Sequence, residues 1–172
     1  KINYKEDVVF LIKRQEGTFR FTVPNLFQPI IKGIEAVAGS NYRKQKVPHH
    51  VIADHIRMLS FAIADGAMPS NEGRGYVLRR ILRRAARFGR MIGKKDPFLF
   101  ELVDIVIDVM GESFPELMDK KIHVKNVIES EEKSFNTTLE RGLIHFEKYI
   151  SKHNGDIIPG EVAFKLYDTY GF

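Results

Sequence analysis

Residues 68–90, MPSNEGRGYVLRRILRRAARFGR, constrain the fold more than any other stretch. They join a turn-rich loop to a helix that needs a core on one side only. In the loop, Pro69 presets φ, Ser70 and Asn71 can bond nearby backbone, and Gly73 and Gly75 let a backbone come close. The spacing then predicts a helix from about Gly75. At about 100° per residue Val77, Leu78, Ile81, Leu82, Ala85 and Phe88 share one side, while Arg79, Arg80, Arg83, Arg84, Arg87 and Arg90 fill an opposing arc of roughly 140°. Nine Lys or Arg lie from Arg74 to Lys95, with no acid among them.

Two readings of that basic face stand open. An arginine row on a helix can be a solvated face or half of an intramolecular ion-pair network. It can also be a phosphate track, since the planar guanidinium fork holds phosphate oxygens bidentately and a helix N-terminus next to it also favours anions. The first reading has concrete partners, because from Glu101 to Glu140 there are ten acids against four lysines. Some arginines are expected to serve each purpose.

The remaining chain surrounds this stretch with helices. Val8 to Ile12 and Thr18 to Val23 are β-branched and aromatic runs on either side of Glu16-Gly17, which predicts a β-hairpin over residues 1–25 that must pack on something. Phe27, Ile30, Ile31, Ile34 and Val37 recur at helical spacing before a stop at Gly39. Residues 40–48 read as a mobile basic loop. Residues 50–64 read as a central, buried helix whose Asp54, His55 and Arg57 need hydrogen-bond partners, expected in neighbouring loops.

Asp96-Pro97 has the form of an N-cap with proline at the first helical position, and an apolar helix from Phe98 to Met110 should follow. Ser113 and Glu116 form a capping-box pattern for a further helix running to about Ser151. Along it Ile128, Phe135, Leu139, Leu143, Phe146 and Ile150 make a stripe, and a break near Gly142 is compatible with the pattern. A turn at residues 153–156 and a short amphipathic helix over residues 161–167 complete the chain. The fold class is therefore mainly α, a helical bundle of about five to six helices including one long helix, with a short N-terminal β-hairpin. Residues 1–25 and 26–172 form its two parts.

The net charge of +5 favours a polyanionic partner met through one patch. Zero cysteines exclude a disulfide scaffold and any thiolate metal site, which fits a reducing compartment. No apolar run approaches bilayer-spanning length, so no membrane partner is expected. His49, His50 and His55 lack a carboxylate placed to complete a metal set. Gly73-Arg74-Gly75 is only half of a dinucleotide fingerprint, and no Walker motif or nucleophile elbow occurs.

The string IADHIRMLSFAIADGAMPSNEGRGYVLRRILRRAARFGR (residues 52–90) closely resembles the alanyl-tRNA synthetases, a family of class II aminoacyl-tRNA synthetases. EVAFKLYDTYGF (161–172) and LERG (139–142) look like further blocks of that family, and with the helices between them the resemblance covers about residues 26–172. It implies the helical tRNA-recognition part of a cytoplasmic alanine–tRNA ligase, placed after the catalytic core and before the editing domain. The family's activity is ATP-dependent attachment of alanine to tRNA(Ala). The resemblance puts the reading of the acceptor stem's G·U wobble pair on Asn71 and Asp168, and phosphate contacts on Arg74, Arg79, Arg80, Arg83, Arg84 and Arg87.

The chemistry of those residues is compatible with such roles. An amide can donate and accept at a base edge, a carboxylate can accept from guanine's exocyclic amino group, and acceptor-stem reading has to use the shallow minor groove. The sequence departs from the family at its front, because residues 1–25 contain no GMGLER-type third class II motif, and the first two motifs are also missing. No catalytic residue or metal ligand is therefore assigned. ATP and Mg are expected in the full-length enzyme and not in this piece, which should not make alanyl-adenylate alone. The alternative is a non-catalytic helical RNA-binding paralogue.

Overall fold

The structure is a computed structural model that describes residues 26–152 and 158–170, together with the backbone of residues 9–14 and 17–22. It is mainly helical, with seven helices among the described residues: α1 (Phe27–Ala38), α2 (Lys46–Ala64), α3 (Gly73–Met91), α4 (Leu99–Met110), α5 (Pro115–Asp119), α6 (Lys121–Ile150) and α7 (Gly160–Tyr170). At the N-terminus the backbone of β1 (Val9–Arg14) pairs antiparallel with β2 (Gly17–Thr22). The expected packing of that hairpin lies outside the described residues, as do the turn at 153–156 and the last two residues.

Helix α2 is the hub, packed against α1, α3, α4, α5 and α6. Its Ile52, Ile56, Leu59 and Ile63 are fully buried and join Ile30 and Ile34 of α1, Leu82 of α3, Leu102 of α4 and Phe135 of α6 in one core. Two glycines set how closely the layers approach. A Cβ on Gly33 would collide with Ile105 Cδ1, and one on Gly89 would collide with the Phe98 ring. Those two side chains fill the space a larger residue would take.

Long-range polar groups finish the helix ends. Glu132 of α6 is 1% exposed, and its Oε2 accepts from the backbone N–H groups of Phe98 (3.1 Å) and Leu99 (3.0 Å) at the start of α4. Burial pushes its carboxyl up to about 8, although the two backbone hydrogen bonds oppose that rise. Nearby, Asn136 Nδ2 donates to the Lys95 carbonyl. Lys120 Nζ donates to the Ala64 carbonyl at 2.5 Å and Lys94 Nζ to the Val37 carbonyl at 3.2 Å, so ammonium groups meet the C-terminal ends of α2 and α1.

Several local expectations are corrected by these contacts. Asp96-Pro97 does not cap α4, whose N-cap is Phe98 without a side-chain cap hydrogen bond. The buried Glu132 supplies that acceptor instead. The Ser113–Glu116 capping box does not form either, because the N-cap is Phe114. The helix begun at Pro115 ends at Asp119, so the described residues hold seven helices against the expected five to six, and α6 then runs unbroken through Gly142.

The loop at residues 40–48 is fastened rather than loose. Tyr42 N–H donates to Glu35 Oε1 at 2.7 Å, and fully buried His49 donates from Nδ1 to the Gln45 carbonyl at 2.7 Å while its Nε2 meets Ser40 Oγ at 2.9 Å. Helix α2 accordingly starts at Lys46. Its polar trio bonds internally, not to loops: Asp54 pairs with His55 at 3.3 Å and with Arg57 at 3.5 Å, and Arg57 lies over the Phe27 ring.

Candidate nucleic-acid interface

Helix α3 begins two residues before the expected start, at Gly73, whose φ of 55° is accessible to glycine without strain. The loop before it folds back on its first turn. Ser70 Oγ donates to the Glu72 carbonyl at 2.9 Å, and a Cβ on Gly75 would collide with the Met68 carbonyl oxygen. Met68 and Pro69 border a cavity of about 270 Å³ completed by Asn126, Val127, Ser130 and Glu131 of α6. The loop is thus held between the start of α3 and the first half of α6, with Asn71 exposed on it.

The buried side of α3 is Leu78, Leu82, Ala85, Ala86 and Gly89. Val77, expected on that side, is 55% exposed, and the apolar stripe is correspondingly narrower at the helix start. Opposite it the arginines divide into two groups. Arg79 Nε lies 2.9 Å from Glu131 Oε1, close enough for an ion pair though not aligned as a hydrogen bond, and Arg83 Nε donates to the same oxygen at 3.4 Å. Arg83 also covers the Phe135 ring at 5.3 Å, and Arg90 donates to Glu140 Oε1 at 3.2 Å.

Arg74, Arg80, Arg84 and Arg87 are exposed and have no ion-pair partner among the described residues. Arg80 rests over Tyr76 and Arg84 over Phe88, each at 5.8 Å, so an aromatic ring one turn away on the same helix carries each guanidinium. His55 of α2 is also near this row. Burial pushes its imidazole pKa down and Arg84 adds to that, against an opposing pull from Asp54. Internal ion pairing and a solvated basic row are therefore both present, on different arginines of one helix.

Asn71 does not stand alone. Its side-chain oxygen accepts a hydrogen bond from Arg79 Nη1, so Arg79 connects it to Glu131. Asp168 is exposed on α7, which packs on the C-terminal part of α6, with Tyr170 5.8 Å from His145 between ring centroids. No hydrogen bond joins Asn71 to Asp168. Along α6, Glu131, which supports the Asn71 loop through Arg79, and His145, which meets α7, are about 20 Å apart. The Arg79–Glu131 link is not legible in the sequence, since nothing local relates α3 to the register of α6.

Two comparisons bear on what this surface serves. Residues 8–172 match the family described as tRNA synthetases class II (A). The match reaches back into the segment that departs from the familiar motif pattern. The chain is 54% identical over 153 residues to an alanine–tRNA ligase of Staphylococcus epidermidis, with 86% of this chain and 18% of the relative aligned. It is 55% identical over 148 residues to that of Idiomarina loihiensis, with 86% and 17% aligned, and 53% identical over 146 residues to that of Legionella pneumophila, with 85% and 17% aligned. The chain spans less than a fifth of the length of these relatives.

Proposed function

From a chain that belongs to the class II (A) tRNA synthetase family, we propose the acceptor-stem recognition part of an alanine–tRNA ligase. The observation that carries this reading is the division of α3. Arg74, Arg80, Arg84 and Arg87 are left exposed beside the loop that presents Asn71. Guanidinium groups at successive turns can meet successive phosphates, which gives position and affinity without sequence information. Asn71 and Asp168 would address the minor-groove edges of a G·U pair from two sides, the carboxylate accepting from guanine's free amino group.

Residues 1–25 are read as a β-hairpin belonging to the sheet of the catalytic core, and residues 26–172 as the helical recognition domain. ATP and Mg would be handled by that core. Among the described residues no group of three or more carboxylate or imidazole side chains comes together to hold a metal ion. tRNA(Ala), the catalytic core and an editing domain are the proposed partners, in the cytoplasm. No helix among the described residues is long and apolar enough to cross a membrane.

The test is binding of acceptor-stem minihelices that carry either G·U or G·C at the wobble position. Asn71→Ala and Asp168→Ala should each reduce discrimination between them by about 1–3 kcal/mol. Equal weakening on both stems would sink the base-reading roles.

A further inference from the structure

We infer that Arg79 and Glu131 are positioning residues that fix the orientation of the Asn71 amide, so that it meets RNA through its N–H donors. The inference rests on the acceptor-stem reading and goes beyond it by assigning how the reader is held. A guanidinium has only donors, so the Asn71 atom that faces Arg79 Nη1 must be the side-chain oxygen. That fixes which end of the amide is which, a choice an isolated exposed asparagine leaves open. With its oxygen engaged, the amide turns its nitrogen away from Arg79.

Arg79 is in turn held from behind. Its Nε lies 2.9 Å from Glu131 Oε1, and the side chain is 21% exposed while that of Glu131 is 12% exposed. Glu131 is steadied by a second guanidinium, Arg83, at 3.4 Å, and it lines the cavity under Met68 and Pro69. One carboxylate therefore links α6 to the loop through Arg79. The outward amide fits acceptors of a minor groove, such as a pyrimidine O2 or a ribose oxygen. Lysine could not replace Arg79, because a single ammonium does not offer two separated N–H groups in one plane.

The experiment measures minihelix binding, G·U against G·C, with the full-length protein across a salt series. Asn71→Asp keeps the shape and the acceptor for Arg79 but has no donor, and it should lose as much discrimination as Asn71→Ala. Arg79→Lys and Glu131→Gln should each lower the G·U preference, on the order of tenfold, with the salt slope unchanged because neither group faces phosphate. In the double variant Asn71→Ala/Glu131→Gln the losses should not add, since both act through one amide. If Asn71→Ala leaves discrimination intact, the acceptor-stem reading itself fails. If Asn71→Ala abolishes discrimination while Arg79→Lys and Glu131→Gln retain it, or if the double variant's losses are additive, the positioning role is overturned. Retained discrimination in Asn71→Asp overturns the donor assignment.

Discussion

Glu132→Gln should stabilise the protein at pH 7 and flatten the dependence of its stability on pH. Glu132 is 1% exposed, and burial raises its carboxyl from 4.5 to about 8 against the pull of two backbone N–H groups. The sign follows from proton counting. Between those values the folded protein holds a proton that the unfolded chain has released, so stability is fully present below about 4.5 and is lost as pH rises through about 8. Each pH unit within that window is worth about 1.4 kcal/mol, so the burial penalty is on the order of 3 kcal/mol at pH 7. Glutamine keeps an acceptor for Phe98 and Leu99 and never ionises. The variant should therefore unfold higher by about 6–12 °C at pH 7 and match the parent near pH 4.5. Glu132→Ala should instead lose about 2–6 kcal/mol, because two buried N–H groups are left without an acceptor. Urea unfolding at several pH values between 4.5 and 8 reads all three proteins. If Glu132→Gln is less stable at every pH, the carboxylate is ionised in the fold and binds the α4 terminus as an anion.

Other substitutions probe the two arginine groups and the close packing around them. Arg80→Ala and Arg84→Ala should weaken binding to every stem alike and each reduce the salt slope by about one; a filter-binding salt series checks this. Arg83→Ala should leave that slope unchanged and lower thermal stability, because its guanidinium is engaged with Glu131 and Phe135. Gly89→Ala, whose Cβ would press on the Phe98 ring, should cost about 1–3 kcal/mol in urea unfolding.

The legible part of the fold is whatever a single element decides. The stripes of α1, α3, α4 and the first part of α6 state their buried faces, and Gly39 ends α1 in the left-handed conformation with φ 63°. What misleads is local pattern where a distant group intervenes. Asp96-Pro97 has the form of a cap, yet Glu132 provides the acceptor. The break at Lys120 lets that side chain reach the end of α2. The outer stripe positions of α6 behave likewise: Leu143 and Phe146 are only partly buried and Ile150 is 49% exposed, because there α6 meets α7 rather than the main core. At the candidate site the residue types were readable, but which arginines were free was not. A helical wheel ranks Arg79 and Arg80 alike, and only the register of α6 separates them.

That register suggests why one helix can serve both purposes. Glu131 meets Arg79 and Arg83 while Glu140 meets Arg90, so contacts advance together along both chains and α3 and α6 run parallel. A step of one residue turns a helix by about 100°. Arg79 and Arg83 therefore sit on the edge facing α6, and Arg80 and Arg84 sit on the edge turned from it. A single carboxylate bridging two guanidiniums leaves positive charge uncompensated, so even the paired edge adds to the field in front of the free one. Lengthening or shortening α6 by one residue before Glu131 would rotate its acids off Arg79 and Arg83. It would release those guanidiniums and leave the Asn71–Arg79 contact without its support from Glu131. On the acceptor-stem reading, such a shift should lower selectivity for the base pair while the exposed Arg80 and Arg84 keep the salt slope, which a plain basic patch would not do.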